Sequence, residues 1–474
     1  MWPASIAVPG RAYGRSAVMG WPVAVLAFVL AVGFYPPLGA QDAPPRAEVS
    51  ASQTSQDFGR LFDAVVDTTA KQFWDKERLA RIDWQKRAAR ARQGVVDAPN
   101  LDVAAQRINA LLGELETSHT ALLTPDDVNY YILMAVFSGA SMPQQEFDER
   151  FWGAGVTFAG IGMFSVRIGE LNFVDQVLEG SPAARAGLKA GDEIVSVDGS
   201  PFHPIRSFRG KIGHHAAIAV RRTQEGPVET IRVPVMSIAP LHAFREATRA
   251  SARVIEKDGQ RIGYVHVWAS VGEESSNALH DALSSLGINE WAGGTERKNR
   301  RDASPRLDGL IIDMRGRIGG TATNAGRYLD LLDPRGPLVQ PRDKSQLSRS
   351  ATAVRGRTAV LIDHHTRSTA ELFVHAYKRE RQGPLIGTRT AGAVSAARGF
   401  AMPGGSLLYV AVSGLKIDGE VLEGTGVEPD VEVDRPVPYA RGRDPVLDAA
   451  VRVFAGRAKT RGSGETNRES ADSP

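Results

Sequence analysis

Four short apolar runs between Arg261 and Thr388 constrain the fold of this chain more than any other feature. The runs are GYVHVWAS, LDGLIIDM, TAVLIDHH and PLIGT, and each leads into a helical or Gly-rich segment. Strands that are buried on both faces read as continuous apolar runs, and intervening helices supply the crossovers that parallel pairing needs. The pattern therefore predicts an α/β layer with a parallel sheet in the C-terminal half.

Composition narrows the class of protein. The chain has 474 residues, no cysteine and a formal net charge of +3, and 42% of its residues are hydrophobic. That hydrophobic share supports large cores, whereas so small a net charge over so long a chain does not indicate a nucleic-acid-binding protein. The absence of cysteine excludes disulfides, thiolate nucleophiles and sulfur-ligated metal sites. We therefore expect a globular protein with no nucleic-acid partner.

The N-terminal segment has the pattern of a secretory signal. Two arginines precede an apolar stretch from Ala17 to about Tyr35, and small residues follow at Gly39 and Ala40. A basic start, a short apolar run and a small-residue exit are typical of a signal peptide, although ~17–20 apolar residues would also suffice for a membrane anchor. Residues 1–40 therefore predict export across the inner membrane to the periplasm or cell envelope, with membrane contact only if the segment is retained.

Shifts in composition divide the rest of the chain. Apolar residues recur at three- and four-residue spacing before residue 113, whereas short β-like runs separated by Gly, Pro and Asp turns begin near residue 151. The predicted divisions are a polar linker (41–55), a helical domain (56–150), a β-rich domain (151–238), the α/β domain (239–456) and a disordered tail (457–474).

The segment SPAARAGLKAGDEIVSVDG, residues 181–199, is the most specific motif of the predicted β-rich domain. A short helix ends at Gly187, a turn follows at Gly191, and a strand closes at Asp198. The segment strongly resembles the corresponding part of PDZ domains. The resemblance implies an upstream loop and strand whose backbone N–H groups hold a peptide carboxylate and whose edge pairs with the peptide. The residues expected there are Gly153, Gly155, Val156 and Phe158.

Ser368 lies where an apolar strand meets an apolar-periodic helix, in LIDHHTRSTAELFVHAYK. At such a turn the hydroxyl is exposed and the backbone N–H of Thr369 points toward the same space, which is the arrangement that acyl transfer requires. Serine is also an ordinary helix N-cap, so this segment alone does not decide between catalysis and capping. Another predicted strand runs into a Gly pair, Gly319 and Gly320, where a backbone amide could approach an oxyanion.

In order and spacing, the segments over about 240–455 resemble the catalytic domain of the tail-specific, carboxy-terminal processing serine peptidases. The resemblance implies a crotonase-like α/β catalytic domain with an N-terminal helical segment and an inserted PDZ-like β domain. Most of that family has a general-base lysine about 25 residues after the serine, where this chain has Ala393. Arg389 and Arg398 cannot take that role, because a guanidinium stays protonated. Lys378 lies ~15 Å along the predicted helix.

A second branch, resembling the core of the tricorn peptidase, uses a Ser–His–Ser–Glu tetrad that this chain matches at each position. Ser118 and His119 lie in LLGELETSHT, Glu423 lies in VLEGTGVEPD, and Ser368 is the nucleophile of the match. The resemblance implies that His119 is the general base, since histidine titrates near neutral pH. It implies that Ser118 and Glu423 orient the imidazole, as a carboxylate does in other triads.

The oxyanion hole and the identity of the base leave alternatives open. The resemblance assigns the oxyanion hole to the amide of Thr369 and that of Gly319 or Gly320, but Gly316 and Arg317 replace asparagines that are common in that loop. Two further histidines compete with the one of the tetrad, which itself could be purely structural. They are His364 and His365, at the predicted strand end before the serine.

The predicted function is a serine endopeptidase without metal or cofactor, acting on envelope proteins or peptides through an acyl-enzyme at Ser368. Its partners would be protein or peptide substrates bound by the PDZ-like module, and it could form a homo-oligomer. The main alternative is a catalytically inactive protein that binds peptides or hydrophobic ligands, since the same fold resembles the retinoid-binding modules of the photoreceptor matrix. A PDZ-driven scaffold that regulates another envelope protease is a third. The complete tetrad favours the enzyme.

Overall fold

The computed structural model of the protein describes residues 55–137, 155–288, 307–316, 318–320, 357–416 and 420–455. Several predictions fall outside those residues and are not addressed by them: the signal segment 1–40, the linker up to residue 54, the tail 457–474, and Gly153. Within the described ranges, no helix is both long enough and apolar enough to span a bilayer.

The N-terminal part is helical, as its periodicity predicts. The elements are α1 (Ser55–Gln72), α2 (Lys76–Arg81), α3 (Trp84–Val96), α4 (Leu101–Gly113), the short strand β1 (Ala121–Leu123) and α5 (Val128–Phe137). The side chain of Asn100 accepts a hydrogen bond from the N–H of Val103, which caps α4. Buried side chains such as Phe62 and Ile108 recur every three or four positions, so α1 and α4 share one apolar core.

The middle part is β-rich, as predicted. Its elements are β2 (Phe158–Gly160), β3 (Met163–Ile168), β4 (Leu171–Val177), the short helix α6 (Pro182–Arg185), β5 (Glu193–Val197), β6 (His215–Arg221), β7 (Val228–Pro234) and β8 (Met236–Ile238). Strands β3 to β7 form a five-stranded sheet in sequence order, and β2 pairs with β8. Alternate side chains of β6, including Ile218 and Val220, are fully buried, as expected of a strand with one face on a core.

The C-terminal part contains the parallel sheet that the apolar runs predict. Its elements are α7 (Pro240–Ser251), β9 (Arg253–Lys257), β10 (Gln260–His266), α8 (Gly272–Ser285), β11 (Gly309–Asp313), β12 (Arg357–Ile362), α9 (Thr369–Arg379), β13 (Leu385–Gly387), β14 (Ala396–Ala401), β15 (Leu407–Ser413), β16 (Val431–Glu432) and α10 (Pro445–Ala455). The sheet order is β16-β13-β12-β11-β10-β9, and only β9 pairs antiparallel.

Helices cover both faces of this sheet. Leu310 and Ile312 of β11 pack toward α8 and α9, whereas Ile311 packs toward α10. Residues on successive positions of one strand are therefore buried on opposite faces, which is why the run LII is apolar without alternation. The predicted fold class, an α/β domain with a helical segment and an inserted β domain, is confirmed.

A second, three-stranded sheet attaches the helical part to the α/β part. In it β15 lies between β1 and β14, and both pairs are antiparallel. Leu408 and Val410 of β15 belong to the same apolar core as α1 and α4. This junction brings the loop that precedes β1 from the helical part toward the carboxyl ends of the parallel strands.

Arg315 anchors a buried charge network just beyond β11. Its guanidinium donates to Asp313, with Nε 2.9 Å from Oδ1, and to Asp444, with Nη2 2.6 Å from Oδ2. Its carbonyl accepts from Gln176 Nε2 of β4 at 2.7 Å, which ties the β-rich part to the α/β part. Burial opposes ionisation of Asp313, but the charge of Arg315 outweighs it and holds the pKa of that carboxyl below its usual range.

We expect Arg315→Ala to lower the free energy of unfolding by about 3–5 kcal/mol, because it leaves a buried carboxylate without its cation. Denaturant unfolding followed by circular dichroism measures this difference. The control is Arg452→Ala at an exposed position of α10, which we expect to change stability by no more than about 0.5 kcal/mol. Equal effects of the two substitutions would contradict the role assigned to the network.

Candidate active site

Ser368 occupies a strained turn between β12 and α9. Its backbone has φ 56° and ψ −124°, a conformation that residues other than glycine rarely adopt. Its N–H donates to the carbonyl of Ala393 at 2.8 Å, which holds the turn against the segment that follows β13. A strained strand-to-helix turn that presents a serine is the geometry of a nucleophile elbow.

Two backbone amides lie beside this serine. A Cβ added to Gly319 would overlap the Cβ of Ser368 and lie 2.7 Å from the nitrogen of Thr369, so only glycine permits this approach. Neither the amide of Gly319 nor that of Thr369 donates to another residue of the described ranges. Gly320 is packed instead against the carbonyl of Ser270, which a Cβ there would overlap. The geometry therefore favours Gly319 over Gly320 as the partner of Thr369.

Ser118, His119 and Glu423 are joined by hydrogen bonds. Ser118 Oγ lies 2.6 Å from His119 Nδ1, and the N–H of Ser118 donates to Glu423 Oε1 at 2.7 Å. The other carboxylate oxygen, Oε2, accepts from the amides of Val394 at 3.0 Å and Ser395 at 2.9 Å. Burial raises the pKa of Glu423, but these hydrogen bonds outweigh it, and the net pKa lies below the usual range.

The loop 390–395 connects this trio to the serine. The carbonyl of Ala393 binds the N–H of Ser368, and the next two amides bind Glu423. Ser368 and Glu423, which lie far apart in the sequence, are thus both hydrogen-bonded to the loop 390–395. Ala393, where the lysine-dependent relatives would have their base, is buried and serves here through its backbone alone.

His119 is placed by strand pairing and by an aromatic contact. Two residues after it, Ala121 of β1 lies opposite Tyr409 of β15, and the rings of His119 and Tyr409 are 5.3 Å apart. Its own φ is 58°, so it too has a strained backbone. Burial, reinforced by the charge of Arg367, lowers the pKa of His119 to about 4. Within the described residues no hydrogen bond joins His119 to Ser368.

Two stretches of the chain match known protein families. Residues 261–433 match peptidase family S41, and residues 173–222 match the PDZ domain. This chain contains an S41 peptidase domain and a PDZ domain. Family S41 comprises serine peptidases, which are hydrolases, so the resemblances seen in the sequence are confirmed.

Several known proteins are similar to this S41–PDZ chain. A tricorn protease homolog of Streptomyces coelicolor is 27% identical over 422 residues, which cover 85% of this chain and 32% of that protein. Carboxy-terminal processing protease CtpA of Bacillus subtilis is 27% identical over 319 residues, covering 64% of this chain and 61% of that one. The chain therefore matches less than two thirds of the length of either relative.

Two solved structures are similar to this chain at low sequence identity. The tricorn protease is 19% identical with a TM-score of 0.45, over 86% of this chain and 37% of that chain. The photosystem II D1 C-terminal processing protease is 18% identical with a TM-score of 0.44, over 84% of this chain and 97% of that chain.

Glu371 is a site residue of the S41 domain that sequence reasoning missed. Its fully buried carboxylate accepts hydrogen bonds from Thr390 Oγ1 at 2.6 Å, Gly392 N at 2.7 Å and Ala393 N at 2.8 Å. It also accepts from the N–H of Ser368 at 3.2 Å. Burial raises its pKa. The spacing of Ser368 and Glu371, which is that of a capping box, was the available signal.

The two competing histidines of the S41 domain point to other partners. His365 Nε2 lies 3.0 Å from Asp175 Oδ2 on β4 of the PDZ domain, and Asp175 Oδ1 binds Arg435 Nη2 at 2.7 Å. The ring of His364 is exposed and lies against that of His365, with the centroids 4.0 Å apart. The hydrogen bond to Asp175 favours a structural role for His365 and thereby favours His119 as the base.

A groove of about 320 Å³ lies between the PDZ domain and the helical part. Phe158 lines it, Gly155 and Val156 do not, and the turn that follows β2 does. Val156 is buried in another apolar cluster with side chains of α5. The pattern Gly-Ile-Gly-Met at 160–163 was the sequence signal for this turn. Its two glycines allow the backbone to approach a ligand closely.

Charged side chains link the PDZ domain to the helical part beside this groove. Arg206 Nη1 lies 2.7 Å from Asp102 Oδ2 and 2.8 Å from Asp126 Oδ2, and Arg209 also pairs with Asp126. Asp102, Asp126 and Asp127 all line the groove. Burial raises the pKa of Asp127.

Proposed function

We propose that this chain is a serine endopeptidase that cleaves peptide bonds through an acyl-enzyme at Ser368, with His119 as the general base. The observation that carries the proposal is the hydrogen-bonded series from His119 through Ser118 and Glu423 to the loop that also binds the N–H of Ser368. A series of this kind supports catalysis because each member would orient the next, as in other serine peptidases.

The proposed reaction uses His119 in its neutral form. With Nδ1 bonded to Ser118, Nε2 is the nitrogen that takes the proton of the Ser368 hydroxyl as it attacks the peptide carbonyl. The amides of Gly319 and Thr369 would stabilise the oxyanion, and His119 would return the proton to the leaving amine. Water then attacks the acyl-enzyme, with His119 taking a proton from the water and returning it to the Ser368 oxygen as the product acid leaves. We infer that substrate binding brings His119 within hydrogen-bond distance of Ser368.

The groove of the PDZ domain is the proposed contact for substrate outside the reaction centre. Its apolar wall includes Phe158, Phe164 and Phe208. Strand β3 is an edge strand of the five-stranded sheet, so it can pair with an extended peptide. The N-terminal pattern supports substrates in the cell envelope, and we propose a periplasmic or envelope location on that ground.

A fluorophosphonate probe tests the proposed function directly. We expect one covalent adduct, located by mass spectrometry on the peptide that contains Ser368, because the probe reacts with an activated serine beside an oxyanion hole. The matched control is Ser285→Ala at the exposed end of α8, which retains the adduct, whereas Ser368→Ala loses it. A folded protein that takes up no probe would contradict the proposal and favour a non-catalytic binding protein.

The electrostatics of His119 predict how activity depends on pH. Because its pKa is about 4, we expect kcat/KM to persist below pH 6.5. It should fall only as the pH approaches about 4, where the base becomes protonated. Arg367→Gln removes a positive charge that lowers the pKa of His119, so the acid limb should move to higher pH. Arg389→Gln is the control and should leave the limb in place. An unmoved limb in Arg367→Gln would contradict the assignment.

A further inference from the structure

Three consecutive side chains at the end of β12 bring metal-binding atoms together. Asp363, His364 and His365 each offer one such atom, and these atoms lie within 4.8 Å of one another. Asp363 is buried, with 6% of its surface exposed, whereas His364 is open to solvent. The proposed tetrad uses none of the three, so the cluster has no part in the peptidase chemistry derived above.

The surroundings of His365 are those of a metal ligand. Its Nε2 lies 3.0 Å from the carboxylate of Asp175, which is 2% exposed and is itself bound by Arg435. Histidine ligands of metals commonly donate their second ring nitrogen to a carboxylate, which fixes the tautomer and the ring orientation. With Nε2 donating to Asp175, the lone pair of Nδ1 is directed away from that contact and is available to a cation.

Asp363 is held in a matching orientation. Its Oδ1 accepts the backbone N–H of His365 at 2.8 Å, and its own N–H donates to Thr366 Oγ1 at 3.1 Å. The carboxylate is therefore fixed relative to the imidazole of His365 before any ion binds. In a tetrahedral site the ligand atoms lie roughly 3.3 Å apart, given bonds of about 2.0–2.1 Å, so the three atoms need to approach one another by at most about 1.5 Å to close the site.

We propose that Asp363, His364 and His365 bind a divalent transition-metal ion, with Zn²⁺ the best fit and water completing the coordination. Two imidazoles and one carboxylate suit zinc and its first-row neighbours, whereas Ca²⁺ and Mg²⁺ require oxygen ligands. This site was not expected from the sequence, which predicted no metal. It would tie the loop that precedes Ser368 to the PDZ domain through Asp175. The proposal does not depend on the peptidase function.

The test is a zinc titration of the chelator-treated, tag-free chain by isothermal calorimetry, with Co²⁺ absorption as a second measurement. We expect one ion per chain in the wild type. His364→Ala should weaken binding at least about 10-fold and abolish the Co²⁺ bands, because it removes a ligand from an exposed position without disturbing the core. The matched control is His214→Ala, an exposed histidine of the PDZ domain, which should bind as the wild type does.

A second variant tests the role assigned to Asp175. We expect Asp175→Asn to weaken zinc binding by about 10–100-fold, the usual effect of losing a carboxylate that orients a histidine ligand. Since Asp175 is buried beside Arg435, zinc binding by this variant is interpreted only if its thermal unfolding remains cooperative. If it does not, the result with His364→Ala alone tests the proposal. Wild-type protein that binds no zinc, or His364→Ala that binds it as tightly as the wild type, would overturn the proposal.

Discussion

Ser368→Ala is expected to lower kcat for cleavage of an unstructured protein by about 10⁴–10⁶-fold, the range found when the nucleophile of a serine peptidase is removed. The reason is chemical, because the amides of Gly319 and Thr369 remain but no atom is left to form the acyl-enzyme. Alanine keeps the Cβ and the backbone preferences of serine, so the strained turn is retained. The measurement is the initial rate of casein or labelled-peptide hydrolysis, together with the melting temperature.

The control for this experiment is Ser285→Ala, which changes the same side chain on the exposed end of α8 and should leave both the rate and the melting temperature unchanged. A cleavage rate in Ser368→Ala close to that of the wild type would show that the reaction has another nucleophile. It would also remove the reason for assigning the neighbouring amides to an oxyanion hole.

His119→Ala is expected to cost about as much as loss of the serine, roughly 10⁴–10⁶-fold in kcat, because the members of such a unit act together. A serine hydroxyl does not attack at neutral pH without a base, and Glu423 reaches the serine only through other groups. For the same reason the double variant Ser368→Ala with His119→Ala should be no less active than either single variant. Initial rates at neutral pH measure all three.

Two further variants separate His119 from the other possible bases. Lys378→Ala should retain activity. This side chain lies at the C-terminal end of α9 and donates to the carbonyl of Glu428. His365→Gln should also retain most of it, since its ring is bonded to Asp175. Activity that survives in His119→Ala but is lost in His365→Gln would transfer the role of base to His365.

Much of the architecture could be predicted because it depends on short stretches of sequence. The apolar runs gave β10 to β13, and the caps and turns of 181–199 gave the PDZ resemblance. Ser368 was singled out as a candidate because a strand, a hydroxyl and a helix follow one another within a few residues. Each of these predictions rests on periodicity or turn preference, which act over one or two turns of chain.

The packing of the helical part and the loop that lines the groove were harder to predict. The helical part shares a core with β15, which lies about 300 residues further on, so composition alone could not show that the two pack together. The loop that lines the groove follows β2 rather than preceding it. Short glycine-containing segments lie both before and after β2, and sequence alone does not show which of them lines the groove.

The sequence by itself indicated the strands of the parallel sheet, the helical and β-rich regions, the two domain families and four candidate residues of a serine peptidase. Only the tertiary structure decided that the carboxylate of Glu371 binds the serine loop, that His365 turns to Asp175, and that His119 is held against Tyr409. The physical reason is the range of the forces involved. Backbone preferences and apolar periodicity are local, whereas a hydrogen bond between distant segments exists only after packing has placed its donor and acceptor about 3 Å apart.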